Sequence, residues 1–452
     1  MHRPRTALAL ALALVACGGR SAADAPTSPP DSKPTRPPVG DDRGESWTLS
    51  SIARGAQLFD DLGDHKRPIS TRSEEAQAFF NQGLALLYAF NHDEAARSFA
   101  RAVELDSTCA MCLWGVAYAL GPNYNMPMLP ERARTAWEAL TRAQQHAPYA
   151  TPVEAALVAA LSRRYKGPAY VPPDEMESYS RAYADEMREV AARFPDDLDV
   201  QVLYAEALMD VNPWKLWTAS GVAAPGTDEI IATLESVLAR DPNHPGANHY
   251  YIHAIEASPH PERAIAAADR LADLMPGAGH LVHMPAHIYQ RVGRYGDAAE
   301  SNRRAIEVDQ RYLSKVEPIG YYPFYLAHNY GFLAYAAAMQ GRSAEALEAA
   351  RKSAEQMPRD LVCGMPGMDF FLTEPLLVMV RFGRWDDVFS ALKPAAHHPT
   401  HVALWHHARG MALAGTGDVE GARAEAAALR ALIEEIPEDQ LAGLNSGRDV
   451  LT

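Results

Sequence analysis

Small residues recur in this sequence at the interval of packed helix pairs, and that interval limits the fold more than any other feature. Gly83 is followed by Ala95, Ala286 by Ala298, Ala334 by Ala346 and Gly410 by Ala422, twelve residues apart in each case. Two helices approach closely only where the side chains between them are small, so each couple marks one helix–turn–helix hairpin. Turn residues fall between the members at Gly293-Arg294-Tyr295, Gly341-Arg342 and Gly417-Asp418, and Gly383-Arg384-Trp385 marks another turn. After Ala95, Phe99 and Ala102 continue the second helix's packing face. Insertions near 166–173 and 212–227 stretch the interval without erasing it. About nine helix pairs fit between residues 76 and 433, and no alternation of apolar and polar residues is long enough to specify a sheet.

A period of about 34 residues, with two helices and small contact residues, resembles the tetratricopeptide repeat (TPR). The expected fold class is all-α, a TPR-type helical-repeat solenoid in which each pair buries its apolar face against its neighbours. Residues 46–75 then form an N-terminal cap segment and 76–433 the solenoid. Residues 434–452 form a C-terminal segment, either a very short cap or a truncated repeat, because the chain stops soon after a helix start near Asn445. With 48% hydrophobic residues among 452, the array has ample material for a continuous core.

The N-terminus carries an address. Arg3 and Arg5 precede the apolar run Ala7 to Ala16, which is too short to span a bilayer. It ends in Leu14-Val15-Ala16-Cys17-Gly18, which resembles the lipobox of bacterial lipoproteins. That resemblance implies a signal peptide at 1–16, lipidation of Cys17 and a solvated Pro-rich tether over 17–45. It also implies an exported, lipid-anchored protein, on the periplasmic face of the outer membrane if the source has two membranes, since Gly18 and Gly19 rather than Asp follow the cysteine. No later run approaches eighteen apolar residues, so the lipid is the expected membrane attachment. The net charge is −15, and loss of the leader leaves 40 basic against 57 acidic residues, which disfavours nucleic acid as a partner.

Five of the 17 histidines lie between His249 and His287, where an even spread would place about 1.5. His249 and His253 are four apart, as are His283 and His287, and the second pair follows the first by 34 residues. Positions i and i+4 share a helix face. One repeat of offset stacks equivalent positions on neighbouring helices about 10 Å apart. The four imidazoles are therefore expected to converge on the concave groove, joined by His280 and His328 at the second position of their repeats. Six imidazoles invite a transition-metal site, mononuclear or binuclear. Copper is the first guess, given Met111, Met126, Met128 and Met284 near the motifs, with zinc or iron as alternatives. Glu256, three residues after His253, is a candidate ligand or catalytic base. The competing reading is a groove of His and Tyr that recognises a partner or bonds internally. Pro285 lies between His283 and His287, so the helix either starts near Met284 or kinks there.

Several blocks resemble a family of bacterial exported TPR proteins: Asn81-Gln82-Gly83, Phe90-Asn91-His92-Asp93-Glu94-Ala95, Cys109-Ala110-Met111-Cys112 with Trp114-Gly115, Gly121-Pro122-Asn123-Tyr124-Asn125, and Gly279-His280-Leu281-Val282-His283-Met284-Pro285-Ala286-His287-Ile288-Tyr289. The resemblance implies the solenoid and export, and no activity.

Cys109 and Cys112 are one helical turn apart, near positions expected to face the same groove; a local disulfide, metal ligation and redox exchange all fit the pair, with Cys363 as a third thiol. The sequence lacks H-E-x-x-H, a G-x-x-x-x-G-K loop and a G-x-S-x-G elbow. A second cluster, His397, His398, His401, His406 and His407, reads as a loop and helix start. Two function classes follow. In the first, the chain is a membrane-anchored scaffold whose groove binds a protein, peptide or small ligand and carries a His-rich metal patch. In the second, it is a metal-dependent oxidoreductase or hydrolase on the same frame, and whether it is an enzyme stays open.

Overall fold

The computed structural model describes residues 47–452 apart from 319, 366, 438, 439 and 444. The leader, Cys17 and the tether lie outside the described residues. Among the described residues nine helix pairs follow one another: Glu74–Tyr88 with His92–Leu105, Ala110–Ala119 with Ala133–His146, Pro152–Leu161 with Pro173–Arg193, Leu198–Met209 with Thr227–Arg240, and Pro245–Glu256 with Ile265–Leu274. The sixth opens on a broken helix, Gly279–His283 and Pro285–Arg291, paired with Tyr295–Lys315. Pro323–Met339 with Ser343–Gln356, Glu374–Arg381 with Trp385–Ser390, and Pro399–Thr416 with Val419–Glu435 complete the array. Among the described residues the only strands are the two-residue pair Leu441–Ala442 and Asn445–Ser446.

Local chemistry sets the helix ends. Ser73, Asn91, Asp197 and Asp418 each accept a backbone N–H of the following first turn, and Thr151 forms a capping box with Glu154. Gly417 closes its helix at φ +91°, a conformation that disfavours side chains with a Cβ. The small residues work as the spacing implies. A Cβ on Gly83 would come within 2.6 Å of the Phe99 ring, and one on Gly115 within 2.5 Å. Phe99 thus fits into notches on two first helices at once.

The superhelix turns back on itself. His249 Nδ1 lies 2.6 Å from the carbonyl of Tyr88, across 161 residues of sequence, and a Cβ on Gly246 would meet the Tyr88 ring at 2.6 Å. Tyr312 donates to Glu94 at 2.9 Å, Arg97 to the Glu317 carbonyl at 2.9 Å, and Asn125 to the Tyr325 hydroxyl at 2.9 Å. The first pair therefore packs against the fifth and sixth and the second pair against the seventh, and the concave side of this turn is filled by the chain itself. The segment before Glu74 lies across the seam. Gln82 accepts from the Phe59 amide, Asp61 from the Gly277 amide, and Arg67 grips Asp197 with two nitrogens at 2.7 and 2.8 Å.

Candidate metal centre

Three consecutive first helices supply the site. Pro245–Glu256 carries His249, His253 and Glu256; the broken helix carries His280, His283 and His287; Pro323–Met339 carries His328. Pro285 has no N–H to continue the first piece, and the helix restarts there after Met284. The break does not separate the second pair, whose Nε2 atoms lie 2.9 Å apart.

The six imidazoles sort into two trios. In the inner trio, His249, His253 and His280 are all buried, and one nitrogen of each lies within 4.8 Å of the other two. In the outer trio, His283, His287 and His328 meet the same limit, with His328 half-buried. The trios adjoin, with the ring centroids of His253 and His287 5.9 Å apart and those of His280 and His283 5.8 Å apart.

The second ring nitrogens fix the tautomers. His249 Nδ1 faces the Tyr88 carbonyl, and His253 Nδ1 lies 2.7 Å from Glu256 Oε1. His287 Nδ1 meets the other carboxylate oxygen, Glu256 Oε2. His283 Nδ1 lies 2.7 Å from Asn302 Oδ1, and Asn302 Nδ2 donates to the Ala298 carbonyl, so its oxygen is an acceptor. Each of these Nδ1 atoms therefore carries a proton, which leaves Nε2 of His249 and of His253 to present a lone pair. Nε2 of His249 and of His253 is buried without a partner among the described residues. Nε2 of His283 and Nε2 of His287 lie 2.9 Å apart, a distance that requires a proton or a metal ion between them. This is the arrangement in which metal-binding imidazoles are held, with the outer nitrogen fixed by a carbonyl or carboxylate and the inner one free to ligate.

Glu256 was expected as a ligand or base; the structure instead places its two oxygens on the Nδ1 atoms of His253 and His287, one in each trio. It holds both rings. The two imidazoles keep its carboxylate ionised, well below the usual range despite burial. Burial drives His249, His280 and His283 well below the ordinary imidazole value and His328 to about 3, so these rings are neutral at pH 7.

Aromatic rings enclose the inner trio. Phe90 stacks on His253 and His280 with interplanar angles of 20° and 21°, and Tyr325 lies 4.5 Å from His280. Trp214 stands edge-on to His253 and stacks on Tyr124. Phe90 and Trp214 have φ of 54° and 60°, and among the described residues they are the only non-glycines with positive φ. Backbone strain is thus concentrated in two rings that both touch His253. Sequence reasoning passed over Tyr88, Asn302 and both strained aromatics. It also placed these histidines on an open concave groove. They are buried instead, because the first pair and the 210–226 insertion close over them.

A third group, His65, Asp199 and His244, also brings ligand atoms within 4.8 Å, and the sequence reading missed it. Its chemistry differs. His244 Nδ1 accepts the Ala247 amide as a helix cap, so the proton sits on Nε2 and faces Asp199 at 3.3 Å. Tyr88 and Arg67 donate to the same carboxylate. With its acceptor nitrogen used by the backbone, His244 is a poor ligand, and the group is a clasp for the N-terminal segment.

Cys109 and Cys112 form a buried disulfide at the start of Ala110–Ala119, and neither sulfur belongs to a histidine group. Cys363 is exposed. In the C-terminal cluster, His406 Nδ1 bonds Glu425 at 2.6 Å and the His401 amide donates to Asp369.

No protein-family model matches the sequence, and no curated protein does. Several solved structures are similar to the chain. The crystal structure of the MamA protein is 15% identical over 40% of this chain and 84% of its own, with a TM-score of 0.31. A tetratricopeptide repeat protein from Parabacteroides merdae ATCC 43184 is 11% identical over 56% of this chain and 87% of its own, at 0.35. The human IFIT1 dimer with PPP-AAAA is 12% identical over 79% of this chain and 73% of its own, at 0.42. These likenesses concern fold alone. The chain is an all-α TPR-type helical-repeat solenoid. In its first superhelical turn, two adjoining histidine trios occupy the space a repeat protein usually leaves open.

Proposed function

We propose that the protein is a transition-metal protein on a TPR solenoid, with one ion in each histidine trio, exported and held at the cell envelope by lipidated Cys17. The observation that carries this reading is the 2.9 Å approach of His283 Nε2 to His287 Nε2 when both Nδ1 protons are committed elsewhere. Two lone pairs at that distance repel unless a proton or a metal ion lies between them, and a metal ion also engages His328. Ligand nitrogens about 2.1 Å from one ion sit about 3–3.5 Å from each other, so little movement is needed. All-imidazole sets with no thiolate suit copper or zinc better than iron–sulfur chemistry. The Cys109–Cys112 disulfide supports the export reading, because such bonds persist in oxidising compartments. The outer surface of the solenoid remains for a protein or peptide partner, the usual use of repeat folds.

Turnover at the outer trio is the second reading, favoured by the half-exposed His328, which leaves that ion a coordination position open to solvent. Elemental analysis of protein purified without a histidine tag tests the main reading. About two equivalents of copper, zinc or iron, lost in the His253→Ala/His287→Ala variant, are expected. A metal-free wild type, even after reconstitution, would sink it.

A further inference from the structure

A small cavity reaches the inner trio at His280. Its wall includes His280, and its rim carries the exposed Arg311 and Lys315. The interior is about 30 Å³, where about 10–15 Å³ suffices for one water. It therefore takes about two waters or one anion of three heavy atoms.

The second nitrogens of the six imidazoles single out His280. Four have a built acceptor: the Tyr88 carbonyl, the two oxygens of Glu256 and the Asn302 amide oxygen. His328 is half-buried, within partial reach of solvent. His280 is only 3% exposed, and neither of its ring nitrogens has a partner among the described residues. One of them belongs to the trio. The other carries a buried N–H whose acceptor the protein does not supply, and a buried donor left unmet is destabilising. Most polar groups around the cavity are already engaged. Asn91 Oδ1 accepts the Glu94 amide, Tyr312 donates to Glu94, and Tyr322 donates to Asp309. Arg311 and Lys315 form no ion pair among the described residues, so two cations face the opening against the single carboxylate of Asp61.

We propose that this cavity is an anion subsite, in which a small anion such as formate, held by Arg311 and Lys315, accepts the free N–H of His280 and completes the outer sphere of the inner metal. The proposal rests on the metal reading above. An anion there does for His280 what Glu256 does for His253: it orients the ring and makes its ligating nitrogen more basic.

The test uses the full chain, cobalt(II) as the metal probe and sodium formate as the anion, with ionic strength held constant by sodium gluconate. Formate is expected to raise cobalt affinity about tenfold in the wild type, the scale of an outer-sphere partner. The Arg311→Gln/Lys315→Gln variant, altered only at exposed side chains, is expected to bind cobalt and to lose that dependence. Formate should also raise the thermal midpoint of the metal-free wild type and leave that of the variant unchanged. Equal cobalt affinity with and without formate overturns the subsite, and a dependence that survives in the variant overturns it too, since it marks direct ligation of the metal. Neither result touches the metal centre. A wild type that binds no cobalt but whose midpoint still responds to formate through Arg311 and Lys315 overturns the metal reading and keeps the anion site.

Discussion

Glu256 holds one imidazole of each trio, so it is the residue at which the two sites are most open to a single change. Glu256→Gln keeps the size and offers one acceptor oxygen where two N–H groups need one; the amide's own hydrogens oppose the other ring. Metal affinity is expected to fall about 10–100-fold with the helical signal unchanged, as read by competition with a chelator of known strength. Phe90 poses a different question, because its left-handed backbone and its burial pull in opposite directions. Phe90→Gly removes about 1–2 kcal/mol of strain but forfeits about 3–5 kcal/mol of buried aromatic packing. Packing wins, and denaturant unfolding should show a loss of about 2–3 kcal/mol. Trp214 is 40% exposed, so the same exchange there should change stability by less than about 1 kcal/mol while uncovering His253. These two rings were illegible in the sequence, since nothing in the letters Phe or Trp announces a positive φ imposed by the parts packed around it.

Among elements, the broken first helix of the sixth pair is the most informative. Pro285→Ala restores an N–H and lets Gly279–His283 run on into Pro285–Arg291, a gain in helix preference of up to about 3 kcal/mol. Thermal stability is expected to hold or rise while metal affinity drops, because the break aims His283 and His287 at one another; a rise in both would show that the kink has no part in the site. Gly115→Ala argues the other way. Alanine is the better helix former by about 1 kcal/mol, yet its Cβ would stand 2.5 Å from the Phe99 ring, and overpacking of about 1–3 kcal/mol prevails. At this scale the sequence was most readable. The twelve-residue couples gave the hairpins, and the 34-residue offset gave four of the six imidazoles, because both depend on neighbours along the chain. The closure of the superhelix depends on contacts such as Tyr88 to His249, which no local pattern encodes. The bonding role of Glu256 was hidden for the same reason: its second partner, His287, belongs to another repeat.

For the molecule as a whole, these buried imidazoles set the response to acid. In an unfolded chain histidine takes a proton near pH 6.5. In the folded protein burial holds His249, His280 and His283 well below that, His92 at about 4 and His328 at about 3. As pH falls below about 6.5 the unfolded state gains protons that the folded state refuses, so each such ring lowers stability by about 1.4 kcal/mol per pH unit until its folded value is reached. Five carboxyls oppose this, because burial raises Asp309, Glu374, Asp210, Glu206 and Glu94. Asp309 and Glu374 are pushed up to about 7 by burial, and between there and about 4 the folded state binds protons that the unfolded state does not, which adds stability as pH falls. With His253, His398, His401 and His407 also lowered by burial, nine rings outweigh five carboxyls. Asp199, held low by His244 and His65 against its own burial, and Glu256 keep their charge through this range and contribute their share until the solution is more acid than about pH 4. A domain with about 5–15 kcal/mol to lose should therefore unfold, when free of metal, between about pH 4 and 5. An ion in each trio must be displaced before those nitrogens can be protonated, so the loaded protein should hold its fold to a lower pH. Tryptophan fluorescence followed from pH 8 to 3, with and without bound metal, reads both midpoints. Coincident midpoints would mean that the ion does not sit on these imidazoles, and a metal-free protein stable to pH 3 would mean that the rings are not neutral acceptors in the fold.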